Sequence, residues 1–270
     1  MKKKAIIKYH AFMNMDTVEK ITFLNNCGNV PSVVDDFSEN KDMSVIGWYN
    51  EDETILYVAP AYGKKIIANK DSSFMFANCE NLKYITGLKN LDTSNVKDMS
   101  GMFINCKKLK RLDLSSFNTS RVIDMSGMFA NCMTLRSLYL IFNTSRVKDM
   151  CYMFSNCVKM KWIDLHRFDT SNVKDMSGMF QYCVNLTKLN IDFNTSRVKD
   201  MSDMFQYCIS LTALNISSFN ISKVRNVNRM FQYCTKLDTL YTSNFDTSKI
   251  KRKNRIFHKC EVLKIFEELD

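Results

Sequence analysis

The chain has 270 residues, 46% of them hydrophobic and 24% charged, with a net charge of +10. That is too apolar for a disordered polyelectrolyte, and its uncharged apolar stretches fall far short of the roughly 20 residues a membrane-spanning helix needs. Seven Gly and two Pro leave little material for a glycine-rich phosphate loop, whereas 18 Met, 19 Phe and 10 Cys are each in excess.

The opening Met1-Lys2-Lys3-Lys4-Ala5-Ile6-Ile7 breaks at Lys8 before a signal-peptide apolar region can form. Residues 1–70 carry no internal period. Within them, Val45 to Val58 reads as two strands around an acidic turn, so the stretch is expected to be an N-terminal cap with a β-hairpin.

From residue 71 to 260 a repeat takes over. Phe recurs at 76, 103, 129, 154, 180, 205, 231 and 257, and a Cys follows each by three residues, at 79, 106, 132, 157, 183, 208, 234 and 260. Eight of the ten cysteines are therefore one repeated position, and composition reports repetition rather than chemistry. In a unit such as 109–132, Leu112 and Leu114 alternate with a polar residue, as a short strand with one buried face does. Met125, Met128, Phe129 and Cys132 lie at i, i+3, i+4 and i+7, the stripe of a two-turn helix. Asp124 stands where it can cap that helix, and Asp98, Asp149, Asp175 and Asp200 repeat the device. Asn/Asp-Thr-Ser between strand and helix shapes a turn without Gly. So small a unit cannot bury its own apolar side, so units must stack. The expected fold is an α/β leucine-rich-repeat solenoid with one short parallel strand and one short helix per repeat. Residues 261–270 read as a C-terminal capping helix.

The unit Leu-x-x-Leu-Asp-Leu-Ser-x-Phe-Asn-Thr-Ser-x-Val-x-Asp-Met-Ser-x-Met-Phe-x-Asn-Cys resembles the BspA-like leucine-rich repeat proteins, including repeats of many mycoplasma surface proteins. The resemblance covers residues 71–260. It implies a bacterial or parasite leucine-rich repeat surface protein, often linked to adhesion and host contact, with no enzymatic activity; protein or carbohydrate ligands are expected on the exposed sheet face.

No Cys-x-x-Cys pair occurs, and His10, His166 and His258 share no repeat position, so neither a metal nor a cofactor is expected. The ladder cysteines are expected to be buried free thiols. Cys151, in the Ser position of Asp-Met-Ser, and Cys27, outside the repeat, are the two candidates for a reactive thiol. No Ser/His/Asp or Cys/His set stands apart from the repeat, so no catalytic site is expected.

Two surfaces are candidate binding sites. Outward strand positions are free of packing and vary between repeats. One column reads Tyr84, Arg111, Ser137, Trp162 and Lys188; the next includes Asp113, Tyr139 and Asp164. Tyr84, Arg111, Asp113, Tyr139, Trp162, Asp164 and Lys188 combine aromatic and charged groups in the way binding hot spots do. The second surface is basic: residues 221–260 hold ten Lys or Arg against two Asp, a local charge of +8. Lys249, Lys251, Arg252, Lys253 and Arg255 form a patch that either meets a polyanion, in an intracellular interaction module, or is a solvated end cap. Nucleic acid is disfavoured there because no aromatics interleave with the cations. A further basic ladder, Lys97, Lys148, Lys174 and Lys199 with Arg121, Arg146 and Arg197, lies beside the Asp ladder, where pairing would consume its charge. Finally, Tyr182, Tyr207 and Tyr233 replace the Asn before the ladder Cys and are each preceded by Gln, making either an aromatic strip or a repacked surface.

Overall fold

The computed structural model describes residues 4–62, 65–136, 138–243 and 245–267. Its strands are β1 (Lys20–Phe23), β2 (Asp35–Asp36), β3 (Val45–Tyr49), β4 (Ile55–Pro60), β5 (Ile66–Ile67), β6 (Tyr84–Thr86), β7 (Leu91–Asp92), β8 (Trp162–Asp164), β9 (Lys188–Asn190), β10 (Ala213–Asn215), β11 (Thr239–Thr242) and β12 (Lys264–Glu267). Parallel pairs β8–β9, β10–β11 and β11–β12 join neighbouring coils of a solenoid, in register from Trp162↔Lys188 to Thr242↔Glu267. In β8 and β10 the middle residue, Ile163 or Leu214, is buried and its neighbours are exposed, as period-2 alternation requires.

The predicted helix of each repeat is absent. A single 3₁₀ turn, Leu88–Asn90, is the only helical element among the described residues. Where a helix was expected, backbone donors alternate between two fates. The N–H groups of Met99, Gly101, Phe103 and Asn105 reach carbonyls of the next coil, at Asp124, Ser126, Met128 and Ala130; those of Met102, Ile104 and Cys106 close turns onto the residue three before. Half the donors thus leave the coil, and an α-helix needs all of them within it. Positive φ at two positions four residues apart resets the chain: Gly101 and Asn105 (56° and 61°), Gly127 and Asn131 (58° and 61°), Gly178 and Tyr182 (60° and 59°). Tandem turns of this kind still aim every third or fourth side chain inward, and Met99, Met102, Phe103 and Cys106 are fully buried.

Each repeated polar residue has one job. Asp98, Asp124, Asp175 and Asp200 accept from the N–H and hydroxyl of the Ser two residues on, at 2.6–2.8 Å, an Asx turn in place of the expected helix cap. Buried Thr119, Thr144, Thr170 and Thr195 donate to the next coil's backbone carbonyls at 2.9–3.0 Å. Each ladder thiol, from Cys79 to Cys260, donates to a Phe carbonyl of the preceding coil at 2.8–3.2 Å. At the seven rungs from Cys106 to Cys260 that carbonyl already receives the N–H of its own coil's cysteine, so the thiol fills its second lone pair; at Phe12, Met15 stands in the Cys position.

The Phe column stacks ring on ring at 5.1–5.7 Å, and it has one rung more than the sequence period reveals: Phe12 lies on Phe76 at 5.1 Å. Residues 9–23 form a further coil paired with 73–87. Lys20, Ile21 and Thr22 pair with Tyr84, Ile85 and Thr86, and Asn14 accepts from the Asn78 side chain. On the side of that coil away from the repeats, β3 and β4 pair antiparallel, and with β2, β1 and β6 they make a five-stranded sheet of order β2-β3-β4-β1-β6. At the other end, the capping helix expected over 261–270 is replaced by β12, which adds Lys264–Glu267 in parallel to β11. Val262, Ile265 and Phe266 there are exposed, and no helical apolar stripe has anything to pack against; residues 268–270 of that expectation lie outside the described residues.

Candidate functional site

The seven sheet-face candidates fall into two groups. Tyr84 begins β6 and bridges Arg111 of the next coil. Asp113 accepts the Ser115 N–H at 3.0 Å, which with the Ser115 hydroxyl holds its carboxyl below the ordinary range. It lines a groove of about 390 Å³ with Thr86, Lys89 and Ser116. Ser137, the next member of the first column, lies outside the described residues.

The second group is tighter. Tyr139, 71% exposed, Trp162, 48% exposed, and Asp164 line a cleft of about 190 Å³ together with Ile141, His166 and Arg167. Lys188 stands in register beside Trp162 on the following coil. Asp164 is fixed in place. The His166 Nδ1 lies 2.7 Å from its Oδ1 and the Asn190 side chain donates to the same oxygen at 2.9 Å. The His166 side-chain bond, outweighing the small cost of burial, keeps this carboxyl below its usual range and therefore anionic. At ~4.8 Å per coil, Arg111 sits about two coils from Trp162, at the margin of this group rather than within it.

Ile141, His166 and Arg167 escaped the sequence reading, yet a signal for them exists. The chain runs Leu138-Tyr139-Leu140-Ile141-Phe142 in one coil and Ile163-Asp164-Leu165-His166-Arg167-Phe168 in the next, one residue longer between aligned core positions. Phe142 and Phe168 nonetheless stack, at 6.4 Å. The extra residue must therefore bulge outward, and it raises His166 and Arg167 as the wall of the cleft.

The basic C-terminal candidates are only partly assembled. Lys249, Lys251 and Arg252 line a groove of about 690 Å³ with Lys199, Arg225, Asp200 and Asn226. Lys253 is turned away, its ammonium donating to the Thr247 and Ser248 carbonyls at 3.1 and 2.9 Å. Arg255 is exposed at φ 57°.

All ten cysteines are free thiols. Burial pushes the ladder thiols up, Cys79 and Cys183 to about 12. Burial and the Asp149 carboxylate raise Cys151 as well, which removes it as a ready nucleophile. Cys260, half-buried on the last rung, is the exception, held below the ordinary thiol range chiefly by its hydrogen bond with Cys234. Among the described residues no group of three His, Cys, Asp or Glu converges as metal ligands, and no helix is long and apolar enough to cross a membrane.

Three bacterial structures resemble this one weakly. A leucine-rich repeat protein from Eubacterium ventriosum has a TM-score of 0.41 at 20% identity, covering 62% of this chain and 40% of its own. Another from Bacteroides ovatus has a TM-score of 0.45 at 17% identity, covering 82% and 61%. A leucine-rich cell surface protein from Faecalibacterium prausnitzii has a TM-score of 0.24 at 14% identity, covering 90% and 96%. This chain thus spans less than two thirds of the length of the first two. Comparison with curated proteins returns no match. At the level of sequence families, one model matches residues 70–163 and again 158–266, the whole repeat region. The chain accordingly belongs to the family described as Mycoplasma protein of unknown function, DUF285.

Proposed function

We propose that this protein is a non-enzymatic leucine-rich-repeat binding scaffold of the BspA-like surface type, which captures a protein or carbohydrate ligand on its exposed sheet face. The observation that carries this reading is the pair Tyr139 and Trp162, two large aromatics left open to solvent that line one cleft together with Ile141, His166 and Arg167. Exposed aromatics cost free energy in water and are enriched where partners bind. Asp164 and Lys188 add a fixed anion and a cation on neighbouring coils, so the site offers apolar, donor and acceptor groups at once.

The mechanism is rigid display. Backbone bonds between coils hold these side chains before the ligand arrives, so little ordering entropy is lost on binding and modest contacts can sum. The test is capture from a panel of immobilised host matrix proteins and glycans, comparing the native chain with the triple variant Arg111→Ser, Tyr139→Ser, Trp162→Ser. All three residues are exposed, so the thermal unfolding curve should not move. Each aromatic at a hot spot contributes about 2 kcal/mol or more, roughly thirtyfold in affinity, so capture should disappear. Undiminished capture by the folded variant contradicts the site.

A further inference from the structure

The cations of the C-terminal coils are one end of a longer feature on a different face of the rod. In each coil the segment before the ladder Asp alternates exposed, buried, exposed around a core residue: Val96, Val122, Val147, Val173, Val198, Val224 and Ile250 are its buried members. The exposed residue after this core position is Lys97, Lys148, Lys174, Lys199, Arg225 or Lys251, with Lys70 ahead of them and Ile123 the one apolar member. Backbone bonds of 2.8 Å tie successive members together from Lys70 to Arg225, making a single continuous column. The residue before the core position is exposed Arg121, Arg146, Arg197, Lys223 or Lys249, with exposed Asn95 and half-buried Asn172 in the remaining coils. The first column therefore runs over eight coils, roughly 34 Å, and the second, about 7 Å from it, over seven, with cations in five of them.

The neighbouring Asp ladder was expected to pair with this charge, and among the described residues it forms no ion pair with either column. Its Oδ1 atoms are committed to the N–H two residues on, and in four of the five rungs to a Ser hydroxyl as well. Among the described residues the ion pairs are Lys83–Glu19, Lys107–Glu80, His166–Asp164, Arg229–Asp203 and Lys259–Glu261, and none involves either column. The guanidiniums of Arg121 and Arg197 are instead steadied by the Asn95 and Asn172 amide oxygens, at 2.9 and 2.6 Å, through one Nη1–H each. Their remaining donors stay available for an anion. The columns end in the groove shared by Lys199, Arg225, Lys249 and Lys251.

We infer that this stripe binds an extended acidic polysaccharide, one bearing sulfate or carboxylate groups along a linear chain. The stripe is continuous and two side chains wide, which matches a single extended polyanion. A membrane would meet a broader surface and reward apolar insertion, for which only Ile123 is present. Single-stranded nucleic acid draws much of its affinity from bases stacked on aromatics, and neither column contains one. The stripe is separate from the sheet-face cleft, so this inference stands or falls independently of the proposed ligand site.

The experiment is a titration of the intact chain with a heparin dodecasaccharide, with a twenty-nucleotide poly(dT) and phosphatidylserine vesicles as parallel probes, at two salt concentrations. Heparin should bind most tightly, with affinity falling steeply as salt rises. The variant Arg146→Ser, Lys148→Ser, Lys174→Ser, Arg197→Ser, Lys199→Ser should lose at least tenfold in heparin affinity while its circular dichroism melt is unchanged. A second variant with five exposed lysines off the stripe replaced, Lys89, Lys108, Lys110, Lys161 and Lys236 to Ser, loses the same charge and should bind within about twofold of the native chain. Equal losses in the two variants would reduce the effect to net charge and overturn the stripe. Tighter binding of poly(dT) or of vesicles than of heparin would overturn the ligand class.

Discussion

Gly127 and Gly178 hold the same position in their coils, at φ 58° and 60°, but their surroundings differ. A Cβ on Gly178 would sit 2.3 Å from the Tyr152 ring of the preceding coil, whereas one on Gly127 meets nothing nearer than 3.9 Å. Gly127→Ala should therefore cost only the left-handed conformation, about 1–2 kcal/mol. Gly178→Ala should cost more, because ring and backbone must shift, and urea unfolding of the two variants checks the order. The same left-handed demand explains the Asn column. Asn tolerates αL, and the amides of Asn78, Asn105, Asn131 and Asn156 chain together at 2.7–2.8 Å. Tyr182, Tyr207 and Tyr233 tolerate it poorly, yet they stack at 4.6 and 4.5 Å over a Gln181–Gln206–Gln232 amide ladder, so much of the strip is packed against itself. A second residue-scale expectation concerns Cys260. Its lowered pKa and partial exposure should make it the first ladder thiol alkylated by iodoacetamide at neutral pH, read by peptide mass spectrometry. Equal labelling of Cys132 or Cys157 would contradict the burial of the ladder.

Within each coil, the Phe and Cys columns were plain in the sequence because their step of 25–27 residues never breaks, and their burial followed from the need of small units to stack. The element carrying them was misread, since an apolar spacing of i, i+3, i+4 and i+7 is shared by an α-helix and by tandem turns. The distinguishing mark was present as pairs of left-handed-prone residues four apart, Gly101 with Asn105 and Gly127 with Asn131. In the ladder itself, Phe154→Ala should cost about 3–5 kcal/mol, and Phe257→Ala less, because the last rung is only partly buried. The thiol column predicts a pH dependence. Seven of its members are fully buried, and burial raises their pKa, while in the unfolded chain a thiol ionises near about 8.5. Folded thiols then hold protons that the unfolded chain releases, so their contribution is complete below about pH 8.5 and is lost as pH rises toward the folded values. Each such thiol removes up to about 1.4 kcal/mol per pH unit. The urea midpoint should fall steeply between pH 8.5 and 10; a flat profile would mean the thiols are not desolvated.

Across the whole molecule, residues 1–70 do more than shield an end. Phe12 continues the Phe stack, Cys79 donates to its carbonyl, and β1 lies between β4 and β6. The sequence period hides this coil because residues 24–61 are inserted between β1 and the first regular repeat, so that the step from Phe12 to Phe76 is 64 residues. Cutting the chain at residue 70 should uncover Phe76, Cys79, Leu82 and Ile85 and lower the melting temperature or precipitate the remainder. An unchanged melt for 71–270 would show the first coil to be dispensable. The sheet-face site was legible as outward strand positions, and the cleft wall was not, because a one-residue length difference becomes a bulge only once the flanking Phe residues are known to stack. Trp162 itself reports whether ligand enters the proposed cleft. With Trp48→Phe, Trp162 is the only tryptophan left, since the chain has two. Acrylamide quenching of that protein should fall and its emission shift to the blue as the ligand retained by the capture panel saturates it. Quenching and emission that stay unchanged at saturation would place binding elsewhere on the rod and contradict the account.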